Sequence, residues 1–397
     1  MELKWLLMMA YKMNYCIRLI EVYIVLVFFF FSSCIRQASQ TINVDMSLLA
    51  FIISDNDLDD HTEYIEHDFV KGLKGCPVGT ELFLYIDRQK ERPSLRHLFL
   101  LESRQVGVKT IAEYDEQCST SPQVFREVLN TMISQSSGRR YGLIYWSHGS
   151  GWLPGFSPDN ASWTSTRALG TDGIYSMDID DMDNILSGNR TPYFTVLDAC
   201  FMGTIEVAYS LRNSTEYLIA SPAETLGAGF SYHLMLPELV NGSRESLARS
   251  LNNYLDYCYS DYYGDGTISG MASLIDCSQV ESLASAFKSV LEHSKDNIAK
   301  DNIQAFDCSY PHLYYDLDDY VHSITDDSLS LAYFEKQLEK TVVHKVSTPS
   351  VFTQTSGRDS MLTINHFSGL STYIPGSSPG YDYAYMQTGW YKDCYGE

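Results

Sequence analysis

Short apolar runs alternate along the chain with polar stretches of helical period. Met46–Ser54 (MSLLAFIIS) is almost wholly apolar and is followed by Asp55-Asn56-Asp57, which predicts a buried strand leading into a helix near 59–74. Glu81–Asp87 (ELFLYID) and Arg96–Leu101 (RHLFLL) predict two further strands. Gln123–Ser134 carries apolar residues at 124, 125, 128, 129, 132 and 133, the spacing of one helix face. Strands are expected again at 141–147, 193–199 and 217–221, with a short acidic helix at 178–186 and an amphipathic one at 202–211. This alternation, from 46 to about 260, predicts an α/β fold with a mostly parallel sheet sandwiched by helices. Sites in such sheets form at the carboxyl ends of the strands. After 276 the order changes. Helices near 278–293 and 328–343 precede a Ser/Gly/Tyr-rich tail with Pro375 and Pro379. The expected division is a core at 46–275 and a helical C-terminal subdomain at 276–397.

The N-terminus has its own pattern. Val22–Phe31 (VYIVLVFFFF) is apolar, preceded by Lys4, Lys12 and Arg18 and followed by Ser32, Ser33 and Cys34. A membrane-spanning helix needs about 20 apolar residues, so residues 1–33 read as a signal peptide and 34–45 as a polar tether. The order apolar-Ser-Ser-Cys resembles a lipobox, with Cys34 as the lipidated first residue, although Phe31 is unusual at its position. The alternative is ordinary cleavage with Cys34 incidental. The expected location is therefore outside the cytoplasm, as an envelope lipoprotein at the outer membrane or cell surface, or as a secreted protein. Seven further cysteines follow, an odd number that leaves at least one unpaired. None forms a CxxC pair, which argues against a Cys-based zinc site.

Hydrophobic residues make up 45% of the chain, enough for a sizeable core. With 28 Lys+Arg against 50 Asp+Glu, the net charge is −22. A field of that sign repels phosphate backbones, so nucleic acid is excluded as a partner and cationic substrates are favoured.

Two predicted strands end in reactive side chains. One runs into Ser147-His148-Gly149-Ser150-Gly151-Trp152, the other into Asp198-Ala199-Cys200-Phe201-Met202-Gly203. In a parallel sheet both tips share an edge, so a thiol can face an imidazole, the minimal nucleophile–base pair. The backbone N–H groups of Gly149 and Cys200 are positioned to form an oxyanion hole.

The strings YGLIYWSHGSGW and VLDACFMGTIEVAYSL closely resemble the clostripain family of cysteine peptidases. FIISDNDLDD (51–60), TRALGTD (166–172), ASPAETLGAGFSY (220–232), GLSTYIP (369–375) and Thr388-Gly389-Trp390 match as well, so the resemblance covers nearly all of 46–397. It implies a caspase–gingipain fold and cleavage of protein or peptide substrates after Arg or Lys. His148 is then the base and Cys200 the nucleophile. Asp198 matches the acidic residue at the base of the S1 pocket, and Glu224 is a second acidic candidate. The loop departs from some members in lacking an acid at Ala228 or Gly229. Arg167-Ala168 lies where family members cut themselves during activation. No cofactor is implied, although calcium assists some members. Rival readings are an inactive member serving as a surface binding module, and a peptidase with another P1 preference.

Two other patterns carry less. Gly376–Gly380 matches the GxSxG nucleophile elbow, but no His follows it, and Pro379 is expected to spoil a helix start. Asp-rich stretches at 55–60, 178–183 and 316–319 read as solvated helix starts. The first lacks the glycine of a calcium-binding EF-hand loop.

Overall fold

The computed structural model describes residues 45–155, 168–260, 267–295, 298–355, 358–376 and 378–396. The signal segment, Cys34 and Arg167 lie outside these residues. The strands, in chain order, are β1 (Met46–Ser54), β2 (Glu81–Arg88), β3 (Glu91–Leu100), β4 (Val106–Glu113), β5 (Arg140–Trp146), β6 (Leu169–Asp172), β7 (Tyr175–Met177), β8 (Phe194–Asp198), β9 (Tyr217–Ala220), β10 (Met271–Asp276), β11 (Tyr315–Asp316), β12 (Val342–Ser347), β13 (Ser350–Thr355), β14 (Arg358–Thr363) and β15 (Ser371–Thr372). Nine of them form one sheet in the order β12-β10-β9-β8-β5-β1-β2-β3-β4. Its five central strands, β9 to β2, run parallel, and both flanks are antiparallel. The fold is thus an α/β sandwich about a mostly parallel sheet, as the alternation predicts.

Successive residues of β1 supply two separate cores. Leu49, Phe51 and Ile53 pack with the helices Pro122–Gln135, Ile179–Ser187 and Val280–Leu291. Leu48, Ala50 and Ile52 pack with Asp59–Gly75, Tyr232–Asn241 and Arg244–Cys258. A strand covered on both faces has no polar face, which is why all nine residues of β1 are buried.

Several elements differ from the sequence reading. Strand β3 begins at Glu91, within a polar stretch, and buries Leu95, Leu98 and Leu100, whereas β4 is exposed or half-exposed along its length; hairpin pairing rather than burial holds β4 as a strand. The C-terminal segment is not only helical. It supplies the sheet's edge strand β12, pairs β13 with β14, and pairs β15 with β11. Its tail also holds the helices Pro379–Met386 and Gly389–Tyr395. The expectation that Pro379 spoils a helix start is corrected: proline opens that helix, where its missing N–H costs nothing. All seven cysteines within the described residues are free thiols. No helix among the described residues is long and apolar enough to cross a membrane.

The edge of the sheet opposite the strand tips is pinned by Glu81. Its Oε1 accepts from the Ser47 hydroxyl (2.5 Å) and from the Ser137 N–H (2.7 Å), and its Oε2 faces His97 Nε2 at 3.3 Å. Burial opposes ionisation, but His97, Ser47 and Ser137 together outweigh it and hold the carboxyl down to about 2. A depressed acid stabilises the fold above its unfolded pKa and loses that contribution as pH falls through its folded pKa. Glu81→Gln should therefore cost about 3 kcal/mol in urea unfolding at pH 7. The difference from wild type should shrink between pH about 4.5 and pH about 2. A pH-independent difference would contradict this assignment.

Candidate active site

The register of two neighbouring strands builds the site. Strands β5 and β8 pair in parallel with Trp146 opposite Asp198. The residues just beyond each carboxyl end therefore emerge together: His148 and Gly149 from one, Cys200 and Phe201 from the other. The two tips touch. A Cβ on Gly149 would lie 2.6 Å from the Cys200 carbonyl oxygen and 2.8 Å from the Ala199 Cβ, so only glycine fits.

Each loop is fixed by further bonds. The Cys loop turns sharply at Phe201, a non-glycine residue with φ 62°. Its N–H donates to the Ala223 carbonyl (3.0 Å), and the Gly203 N–H donates to the Ser221 carbonyl (2.7 Å). The Phe201 ring stacks on Tyr314 at 4.0 Å. The Tyr314 hydroxyl in turn donates to the Ser150 carbonyl at 2.8 Å. One tyrosine from the C-terminal segment thus ties the His loop to the Cys loop. On its other side the His loop pairs with the chain after Arg167: Ser150 N–H donates to the Ala168 carbonyl (3.2 Å), and Gly170 N–H to the His148 carbonyl (2.9 Å). Ala168 itself is buried.

His148 Nε2 hydrogen-bonds to an Asp57 carboxylate oxygen. Asp57 lies three residues beyond β1, which is the neighbour of β5. Sequence reasoning did not assign it. The signal was present, because an acid just past the adjacent parallel strand falls on the same edge.

The Cys200 thiol instead faces Thr225. It accepts from the Thr225 N–H at 3.4 Å and lies 3.7 Å from both Thr225 oxygens. No hydrogen bond joins it to His148 among the described residues. Burial, then the negative charge of Glu224, push this thiol up to about 11. The group is therefore a neutral thiol at rest. Neither Gly149 nor Cys200 donates its backbone N–H to a group among the described residues, which leaves both available to an oxyanion.

The two acidic candidates differ in surroundings. Asp198 is 1% exposed. Its Oδ2 accepts from the Phe230 N–H and the Tyr232 hydroxyl, both at 2.8 Å, whereas Oδ1 has no partner. Burial pushes its carboxyl up to about 7. Gly229, with φ 65°, approaches so closely that a Cβ there would lie 2.4 Å from Asp198 Oδ2. Beside Gly229 is a slot of about 10 Å³, lined by Leu226, Tyr254, Tyr257 and Ser269. Glu224 is occupied: its carboxylate accepts from the Thr353 hydroxyl (2.8 Å) and the Gln354 N–H (3.0 Å), which staples strand β13 beside the Cys200 loop. Among the described residues no three His, Cys, Asp or Glu gather closely enough to hold a metal ion.

The family model described as "Clostripain family" matches residues 50–392. The chain is similar to a secreted C11 cysteine protease from Bacteroides thetaiotaomicron solved with an irreversible peptide inhibitor, at 28% identity and TM-score 0.77, covering 88% of this chain and 98% of that one. It is similar to an inactive zymogen C11 protease from Parabacteroides distasonis, at 26% identity and TM-score 0.76, covering 88% and 97%. A clostripain from Bacteroides thetaiotaomicron in complex with the peptide inhibitor BTN-VLTK-AOMK matches at 27% identity and TM-score 0.51, covering 57% and 98%. No curated protein matches the chain.

The resting thiol sets an expectation for alkylation. Iodoacetamide should modify Cys200 slowly at neutral pH, with a rate still climbing between pH about 8 and pH about 10, because only the thiolate reacts. Glu224→Gln should shift that profile to lower pH. A plateau near neutrality, read by mass spectrometry of the Cys200 peptide, would mean that the thiolate already exists at rest.

Proposed function

The chain belongs to the clostripain family and is a cysteine-type peptidase, and on that premise we propose that it is an exported endopeptidase that cleaves after Arg or Lys with Cys200 as nucleophile and His148 as base. The observation that carries this reading is the contact between the two strand tips, Gly149 packed on the Cys200 backbone. His148 takes the Cys200 proton. The thiolate attacks the scissile carbonyl, and the oxyanion is held by the Gly149 and Cys200 N–H groups. His148 then protonates the leaving amine, and water hydrolyses the thioester. Asp57 accepts a hydrogen bond from the imidazole and orients it, favouring the imidazolium that forms. For this step the thiol must turn from Thr225 toward His148.

Asp198 supplies the P1 preference. Its unpartnered, buried Oδ1 is the group a guanidinium or ammonium would satisfy by a charge-assisted bond. The related clostripain is solved with a peptide inhibitor whose letters end in K, which agrees with a basic P1 residue. The slot beside Gly229 is far too small for an arginine side chain, so substrate binding requires the loop 224–229 to open. Cleavage after Arg167 would release the chain that leads into Ala168, whose carbonyl is bonded to Ser150 on the His loop. Activation by that cut accords with the existence of a zymogen among the similar structures. Residues 1–33 serve as the export signal, with Cys34 as lipid anchor; metabolic labelling with palmitate, lost in Cys34→Ala, tests this.

Cys200→Ala and His148→Ala should each abolish turnover of an Arg-P1 peptide, and the double variant should be no worse than either. Asp198→Asn should lower kcat/KM for Arg and Lys substrates by about 10²-fold. Equal cleavage after Leu and Arg by wild type would return Asp198 to a structural role. Edman sequencing of active enzyme should find a new N-terminus at Ala168, absent from Cys200→Ala. An active chain unbroken at Arg167 would overturn the activation step alone.

A further inference from the structure

A second site lies behind the catalytic loops. A cavity of about 340 Å³ opens between the loop after His148, the helix Ile205–Ser210 after Cys200, and the tail helix Pro379–Met386. Trp152, Asp178, Asp180, Glu206, Ser210 and Tyr383 are among its lining residues, and no Lys or Arg is. Three carboxylates therefore share one cavity with no counter-ion in its wall among the described residues.

Glu206 is the telling member. It is 2% exposed. Its Oε1 accepts from the Thr372 hydroxyl (2.6 Å) and the Tyr373 N–H (3.3 Å); Oε2 is buried and makes no hydrogen bond of ordinary geometry, the Thr204 hydroxyl lying near enough to favour the charged form. A buried carboxylate oxygen left unpaired is costly, and natural folds keep such groups where something else satisfies them. Asp178 accepts from the Gly155 N–H, and Asp180 from the Ser210 hydroxyl at 2.8 Å, so both present further lone pairs. Burial raises both Glu206 and Asp178 above the ordinary carboxylate range, as expected of acids without a cation.

The geometry of the acids selects the occupant. They are too dispersed to converge on a metal ion, since no such cluster exists among the described residues. Separated charges suit an elongated organic cation whose head reaches the inner acid while its stem lies along apolar surface. Trp152, almost buried, and Tyr383, 62% exposed at the mouth, supply aromatic surface of the kind that attracts ammonium and guanidinium groups. The volume is that of a small-molecule site.

We propose that this cavity binds a small organic cation, an ammonium or guanidinium on an alkyl stem as in arginine, lysine or a diamine, with Glu206 as its principal partner. The site is distinct from the S1 pocket at Asp198. Trp152 stands four residues after His148 and Glu206 six after Cys200, so an occupant bridges the two catalytic loops from behind, as Tyr314 does through Phe201 and Ser150.

Asp198 would itself attract such a cation, so the test starts from the double variant Cys200→Ala, Asp198→Asn of the full chain. Isothermal titration calorimetry with agmatine should show one binding equivalent, and 1-pentanol should show none. Adding Glu206→Gln should weaken agmatine binding by more than about 10-fold, the effect expected from removing a buried charge partner. Asp180→Asn, at the exposed mouth, should weaken it less, and keeps the test decisive if Glu206→Gln does not fold by circular dichroism. Cadaverine and arginine amide in the same titration distinguish a preference for ammonium from one for guanidinium. Absence of binding to the parent, or undiminished binding in every variant that folds, would overturn the proposal.

Discussion

The parallel pairing of β5 with β8 is the constraint on which the site depends. Trp146 opposite Asp198 fixes where each strand ends. A slip of one residue would move each side chain to the other face, and the reactive groups would no longer share an edge. The pairing also sets how close the tips come. With Gly149 against the Cys200 carbonyl there is no room for a side chain, and neither residue donates its backbone N–H to a group among the described residues. On the proposed mechanism, the nucleophile's chemistry begins with backbone geometry that two buried strands enforce.

Around that constraint the resting protein keeps its reactive groups apart. The imidazole is held by Asp57 and the thiol by Thr225. Burial and the nearby Glu224 charge both disfavour the thiolate. Glu224 is itself committed to strand β13, so the C-terminal segment reaches Cys200 electrostatically through Glu224 and mechanically through Tyr314. Both routes run from the chain beyond 276 back to the core, which is why the tail after the last parallel strand belongs to the working site as well as to the fold.

Much of this was legible in the chain because the signals were local. Strand β1 is a continuous apolar run, and such runs are what strands covered on both faces require. His148 and Cys200 stood out because each follows one. What escaped was long-range. The polar start of β3, before the predicted Arg96, and all of β4 exist through hairpin pairing. Asp57, Tyr314 and Thr225 act through partners 91, 164 and 25 residues away, and no periodicity encodes such pairings. Pro379 was misjudged because its effect depends on position: it breaks a helix interior but suits a first turn.

The central claim is that Cys200, activated by His148, carries the acyl group. The most direct measurement is to mix the activated enzyme with a lysine ester substrate, quench in acid within milliseconds, and map the adduct by mass spectrometry. The account predicts an acyl group on Cys200 that accumulates and decays with turnover, and none in His148→Ala. An adduct on another residue, or turnover with Cys200 replaced by Ala, would contradict it.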